Sequence, residues 1–219
     1  MAKVTTYLQH ESLYRPDGVV AKRKQAKILL CGGGALGSFL SDLLSRQGYW
    51  NQTVLDRDKV EDGNFGTQNF GKRDIGRPKA TMIRAHAFNR YGVVVKDEVK
   101  SLTKDNAKSL VKGFDLVLDL FDNGESREIV RSVCEAGNIP CLHSGLAAMG
   151  YFQVQWNEIY IAPPTVDTHN APCEYPMAAN LVMMCVAATA EVINRFFESG
   201  EKRNVEFWLK SMSLETNKS

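Results

Sequence analysis

The chain predicts an α/β fold: a mostly parallel sheet with helices on both faces, continuing into a short mixed or antiparallel C-terminal part. Three observations carry that reading. Lys27 to Cys31 is a short apolar run ending in glycines, after which Leu36, Phe39, Leu40, Leu43 and Leu44 recur at helical spacing. Asp115 to Leu120, DLVLDL, is a nearly continuous β-type run of the kind buried on both faces of a parallel sheet. From Tyr151 the alternation changes, with Tyr151–Gln155 and Glu158–Ile161 reading as antiparallel strands separated by a turn.

A chain of 219 residues can bury a full core, and the soft prior of roughly 100 to 200 residues per domain favours one domain with a small appendage. Its 27 basic and 25 acidic residues leave a net charge of +2, which attracts neither nucleic acid nor an anionic membrane. The first residues are polar, and the longest apolar run, Leu181 to Ala190, falls short of the ~20 residues that a bilayer span needs. A cytoplasmic location with no membrane or nucleic-acid partner is the expectation. Cys31, Cys134, Cys141, Cys173 and Cys185 include no pair at C-x-x-C spacing, so neither a disulfide framework nor a cysteine zinc site is expected.

Residues 1–25 are polar, end in the basic run Lys22 to Lys24 and read as an arm; 26–212 form the main domain, and 213–219 read as a flexible tail. After the first strand and helix, Thr53 to Asp56 reads as a second strand. The polar, glycine-rich stretch from Arg57 to Gly76 is a long connection of the kind that tends to carry function. A helix follows from about Pro78 to Arg90, with proline in its first turn. Val93–Val95 reads as a strand, Asp105–Val111 as a short helix, Glu125–Gly137 as a helix and Ile139–His143 as a strand. A proline-rich loop from Ala162 to Pro176 leads into a long helix, about Met177 to Phe197, and Val205–Leu209 reads as a last strand.

Gly32, Gly34 and Gly37 match G-x-G-x-x-G between a strand and a helix. There, missing side chains let the backbone turn sharply and let a phosphate approach the helix N-terminus. The arrangement is Rossmann-like. A P-loop would place a lysine before the hydroxyl residue, whereas glycine precedes Ser38, so a phosphate-neutralising lysine must come from elsewhere. Asp56 ends the second strand about 20 residues beyond the glycine loop, where an acidic residue holds ribose hydroxyls. Asp122 and Asn123 lie just past the C-terminal end of the DLVLDL run, where open α/β sheets place their ligand contacts.

Four ordered blocks, CGGGALGS, VLDRDKVEDGNFGTQNF, DIGRPKA and DLVLDLFDN, resemble the ThiF/MoeB/HesA family, the ATP-dependent adenylyltransferases that include the catalytic halves of ubiquitin-activating enzymes. The likeness is strong from Lys27 to His143 and continues more weakly to Phe197. It implies that the backbone at Gly34 and Ala35 lies against the nucleotide and that Asp56 holds the ribose. It further implies that Asn64 and Lys79 contact the phosphates with Gln68 in the same block, and that Asp122 binds Mg²⁺ beside Asn123. The implied reaction is adenylation of a carboxylate, most simply the C-terminal glycine of a small ubiquitin-like or sulfur-carrier protein, by a homodimer. The partner's tail would lie near Asp122 and under the 162–176 loop. Because the attacking carboxylate is already ionised near neutral pH, positioning and charge neutralisation suffice and no catalytic histidine is required.

The chain departs from the family pattern in places. The arginine that precedes a glutamine in the family falls on Thr67 before Gln68, and a neutral hydroxyl does not replace a positive fork at a triphosphate. Arg57, Lys72, Arg73 or an arm residue would have to supply the charge. The family's second arginine comes from the partner subunit's arm; Arg15 is the counterpart, against a reading as a solvated arm residue. The paired C-x-x-C motifs of zinc-holding members are absent. Cys173, in HNAPCEYP, stands where thiol-using relatives carry their acceptor, against a reading as an ordinary loop thiol, and Glu174 beside it would raise the thiol pKa.

The remaining candidates have simpler readings. His143 reads as a satisfied core or rim histidine, His86 and His169 as surface polarity, Asp58 and Glu61 as solvated, and Met183, Met184, Phe196 and Phe197 as core or subunit contact. Three rivals remain: an NAD-dependent oxidoreductase, which leaves Asn64, Lys79 and Asp122 unexplained; a non-catalytic member or inactive half of a heterodimer, favoured by Thr67; and an enzyme activating a small-molecule or RNA-linked carboxylate.

Overall fold

Apolar β-branched and leucine-rich runs without polar alternation form the centre of the sheet because both of their faces are covered. In the computed structural model, which describes residues 6–162 and 177–218, β1 (Lys27–Cys31) is buried at every position after its first. Ile28 and Leu30 face one core, shared with Leu36, Leu40 and Leu44. Leu29 and Cys31 face the other, shared with Val117, Val130 and Cys134.

Two arm helices, α1 (Gln9–Tyr14) and α2 (Val19–Gln25), precede β1; α3 (Ala35–Arg46), β2 (Asn51–Leu55), α4 (Lys79–Tyr91), β3 (Lys96–Glu98), α5 (Lys104–Val111) and β4 (Leu116–Asp119) follow. Then come α6 (Gly124–Gly137), β5 (Cys141–Ala147), β6 (Tyr151–Trp156), α7 (Ala179–Ser199), β7 (Arg203–Trp208) and β8 (Ser213–Lys218). The sheet order is β3-β2-β1-β4-β5-β6-β7-β8. β3 to β5 pair in parallel and the remaining strands antiparallel, and β5 belongs to both kinds of pairing. Leucines and alanines of α3, α4 and α7 pack on one face, with Val111 of α5 and Val130 and Cys134 of α6 on the other. The expected fold class is the observed one.

Four local expectations are corrected. The strand expected at Val93–Val95 starts instead at Lys96, because Val93 and Val95 fill the core just after the left-handed Gly92 ends α4 and pairing with β2 begins only at Thr53↔Lys96. Glu158–Ile161 is a turn: both edges of β6 are already taken by β5 and β7, and the Ile159 and Tyr160 N–H groups donate back to the Trp156 carbonyl. The strand expected to end at His143 runs on to Ala147 as the antiparallel partner of β6. The tail expected to fray from 213 forms β8, paired with β7 from Ser213↔Trp208 to Lys218↔Arg203 after a turn with Met212 at φ 52°.

The arm packs on the domain. Leu8 and Val19 are buried. Arg23, fully buried, donates to Glu11 at 2.7 Å, to Glu198 of α7 at 2.8 Å and to the Gln47 carbonyl at 3.1 Å. A buried guanidinium requires such partners, because its charge cannot be shed by deprotonation. The 21 residues of α7 are long and apolar enough to cross a bilayer by composition, but Leu181, Val182, Cys185, Val186, Ala190 and Ile193 are spent on the core against the sheet.

Candidate functional site

The glycine loop is set by close packing. Gly32 has φ 111°, and a Cβ there would meet the Leu120 carbonyl oxygen at 3.0 Å. A Cβ on Gly37 would stand 1.9 Å from the carbonyl oxygen of Gly32, so the first turn of α3 lies directly on the end of β1. Gly34 is different: among the described residues a Cβ there meets nothing within 4 Å. It is the N-cap residue of α3, and no side chain of the described residues caps the helix. The amino end of α3 therefore keeps unpaired N–H groups and its positive dipole end beside open space, which suits an anion.

Asp56, just after β2, is buried beneath this loop. One carboxylate oxygen accepts from the Gly33 N–H at 2.6 Å and the other from the Asp58 N–H at 2.7 Å. Burial pushes its pKa up, opposed by those two N–H donors and by Lys79. Lys79 opens α4; its N–H donates to the Asp58 carbonyl at 2.8 Å and its Nζ lies 3.6 Å from the Asp58 carboxylate. Lys79 is itself buried while the Asp58 side chain is 57% exposed, so the pair is an easily displaced contact for the ammonium.

The long 57–76 connection is a closed loop. An isolated bridge joins Lys59 to Pro78, and Val60 exchanges hydrogen bonds with Arg77 and Gly76 at 2.9 Å, so the loop leaves and returns beside Asp58 and Lys79. Within it, the buried Asn64 accepts from the Glu61 N–H at 2.9 Å, closing a 3-10 turn over 62–64. The Asn64 carbonyl accepts from the Gln68 N–H at 2.9 Å. The Asn69 N–H donates to Ser38 Oγ at 3.0 Å, which docks this segment onto the first turn of α3. Gln68 Oε1 is buried with no hydrogen-bond partner among the described residues.

The turn after β4 lies beside the glycine loop, since the Leu120 N–H donates to the Cys31 carbonyl at 2.9 Å and Gly32 packs on Leu120. Asp122 is exposed there. Asn123 has a structural duty as well: it is the N-cap of α6 and accepts from the Ser126 N–H at 2.9 Å. Among the described residues no group of three or more His, Cys, Asp or Glu side chains is placed to hold a metal. A single carboxylate still fits Mg²⁺, which keeps several waters and usually binds through one or two carboxylates plus substrate phosphates.

The structure thus brings Gly32, Gly34, Ala35, Gly37, Asp56 and Lys79 together, docks the Asn64 to Gln68 segment on α3 and sets Asp122 at the adjoining strand end. Arg15 is elsewhere: it lies against α7, donating to Glu191 at 2.7 Å and pairing with Glu198 at 3.4 Å, which makes it an arm-to-core tie within one chain. Thr67 is half-buried. Arg57 is 72% exposed, and Lys72 and Arg73 line a surface cavity of about 520 Å³ with Phe70, Asp74, His86 and Arg90. Cys173, His169 and the 162–176 loop expected over the site lie, from 163 on, outside the described residues.

His143 is a satisfied buried histidine, as expected, and His86 pairs with Asp74 at 3.2 Å. Sequence reading missed Asp119, Arg127, Asn157 and Tyr160, which surround His143. The only signal was an acidic residue at the end of an otherwise apolar buried run.

A parallel sheet with a glycine loop at a helix N-terminus, an acidic residue under it, a lysine beside that residue and a carboxylate on the adjoining strand end defines a Rossmann-like α/β protein. The ThiF family model matches residues 9–197, and the chain belongs to the ThiF family. It is 28% identical over 147 residues to the sulfur carrier protein ThiS adenylyltransferase of Bacillus subtilis, covering 64% of this chain and 44% of that one. It is also 28% identical over 161 residues to the sulfur carrier protein adenylyltransferase of Thermus thermophilus, covering 72% and 57%. The chain therefore spans about half the length of these curated relatives. In fold it is similar to E. coli MccB crystallised with AMPCPP and MccA, with a TM-score of 0.81 at 16% identity over 99% of this chain and 72% of that one.

Proposed function

We propose that the chain catalyses ATP- and Mg²⁺-dependent adenylation of a carboxylate, the C-terminal glycine of a small ubiquitin-like or sulfur-carrier protein. The observation that carries this reading is the convergence of Lys79 and Asp56 at the open amino end of α3, with Asp122 on the adjoining strand end. The two relatives named above are adenylyltransferases of sulfur carrier proteins.

Asp56 would accept the ribose hydroxyls of ATP, and the uncapped N–H groups of α3 would face its phosphates. Lys79, exchanging the exposed Asp58 carboxylate for phosphate, neutralises charge as the substrate carboxylate approaches the α-phosphorus and pyrophosphate departs. Asp122 would hold Mg²⁺, which supplies further neutralisation of the phosphates when bound. Asn123, engaged in capping α6, keeps the Asp122 turn in register with the helix. A homodimer in the cytoplasm, with onward transfer of the acyl group to the Cys173 thiol, completes the proposal.

Thr67 favours a second reading, in which the chain is the non-catalytic half of a heterodimeric activating enzyme. Calorimetry with ATP plus Mg²⁺, beside NAD⁺, comes first. ATP binding that weakens in Lys79→Ala supports the proposal, NAD⁺ binding alone overturns it, and ATP binding without pyrophosphate exchange in the presence of carrier proteins supports the second reading. Retained exchange in Asp122→Ala would remove the metal assignment.

A further inference from the structure

Asp119 ends β4 with no solvent exposure at all, and a carboxylate so placed must be met by positive charge and hydrogen bonds. Three groups meet it. The Phe121 N–H donates to one oxygen at 3.2 Å, which closes the turn leading to Asp122. The other oxygen faces Arg127 of α6 at 3.4 Å and His143 Nδ1 of β5 at 2.8 Å.

The second ring nitrogen of His143 is held as well. Nε2 lies 2.8 Å from Asn157 Oδ1, and the Asn157 amide is oriented by its own NH₂ group, which donates to the Arg131 carbonyl at 3.3 Å. The ring thus spans Asp119 at the end of β4 and Asn157 just after β6, with a hydrogen-bond partner at each nitrogen.

Its surroundings hold that arrangement. The Tyr160 ring stacks on the imidazole with centroids 3.7 Å apart and planes 7° apart, and Arg127 donates to the Tyr160 hydroxyl at 3.1 Å and to the Ser144 carbonyl at 2.9 Å. The other titratable groups near the ring are the Cys141 thiol at 3.5 Å and Glu128, whose pKa is lowered chiefly by its hydrogen bonds from Arg131 and Ser132, with His143 a smaller contributor. Burial raises the pKa of both Cys141 and Tyr160, so both stay neutral.

We infer that His143, held between Asp119 and Asn157, is a positioning residue that fixes the Asp119–Phe121 turn and through it the orientation of Asp122 toward Mg²⁺. The inference rests on the adenylation reading and deepens it. It differs from a general packing role because it acts on the turn that bears Asp122; that turn also touches the glycine loop through Leu120, so the Mg²⁺-dependent part of ATP binding is what separates the two.

The test is calorimetry on the full chain with ATP in excess Mg²⁺ and with ATP in EDTA, for the parent, His143→Gln, Asp122→Asn and the double variant. His143→Gln is expected to leave binding of ATP in EDTA within about twofold and to reduce the gain from Mg²⁺ by about tenfold, the usual cost of losing a group that orients a metal ligand. That loss should vanish in the Asp122→Asn background. Additive losses in the double variant, or an equal loss of ATP binding in EDTA, would each overturn the role while leaving adenylation standing. A parent chain that binds no ATP under either condition would overturn the adenylation reading and this role with it.

Discussion

The carbonyl oxygen of Gly32 sits where it would be 1.9 Å from a Cβ on Gly37, so strand end and helix start touch backbone to backbone. Replacing Gly37 by alanine must push α3 off β1. Overpacking of this kind costs about 1–3 kcal/mol, and urea denaturation of Gly37→Ala should show a lowered midpoint. Gly34→Ala, whose methyl enters open space, should keep the parent's midpoint and lose ATP affinity instead. Equal stability of the two variants would show that the contact relaxes.

Lys79 is the only buried lysine of the loop–helix junction, and its ion-pair partner is largely exposed. Loss of a charge-assisted hydrogen bond costs about 1.5–3 kcal/mol, so Lys79→Ala should weaken ATP binding by roughly 10- to 100-fold. Thermal stability should change little, because Asp58 returns to water. Titration calorimetry and a melting curve check both halves.

Asp56 gives a pH signature. Its folded-state pKa is raised, chiefly by burial. A raised folded-state value means that its contribution to stability is present below the unfolded value of roughly 4 and is lost as pH rises through the folded value. Ribose binding has the opposite dependence, since it needs the ionised acceptor. ATP affinity should therefore fall on acidification at a pH above the ordinary aspartate value, while Asp56→Asn should bind weakly with no such dependence. Affinity measured from pH 7 downward distinguishes the two.

Thr67 is half-buried in the segment docked on α3, at the position where the family resemblance implies an arginine. If the missing fork is what limits phosphate binding, Thr67→Arg should tighten ATP binding by about tenfold, the scale of one charge-assisted hydrogen bond. Unchanged affinity would mean that Arg57, Lys72 or Arg73 already supplies the charge.

Arg23 ties the arm to α7 through Glu11 and Glu198. Truncation of one partner in a buried ionic cluster costs about 3–5 kcal/mol because the remaining charges lose compensation. Arg23→Ala should thus lower the chemical-denaturation midpoint. The Mg²⁺-dependent ATP affinity at temperatures where the variant is folded should stay at the parent's value.

What sequence reading captured was local. Glycines fix a turn wherever they stand, the period of Leu36, Leu40 and Leu44 marks a helix, and DLVLD marks a strand buried on both faces. Asp56 was singled out by its position after a strand beyond the glycine loop, whereas Lys79 came from the likeness of the DIGRPKA block to the family. What it missed depends on partners far away in the chain. Val93–Val95 has strand composition, but its side chains are claimed by the core before the edge of β2 is reached. Glu158–Ile161 lost its pairing because β5 had extended to occupy that edge of β6. Asp119, Arg127, His143, Asn157 and Tyr160 come from separate elements, and no local pattern announces their meeting.

β5 is a seam. Cys141 to His143 bind β4 in parallel, while the strand's whole length from Leu142 to Ala147 binds β6 in the opposite sense. The nucleotide-facing half and the antiparallel half are thus joined by a shared plank and cannot be exchanged as independent modules by cutting through it. A chimera spliced within 141–147 would break the strand itself. One spliced at the turn around Gly150, which accepts a hydrogen bond from the Leu209 N–H at 2.7 Å, would carry the whole strand with its parallel neighbour and offer a new antiparallel half an intact edge on which to pair, provided that half supplies a partner for His143 in place of Asn157.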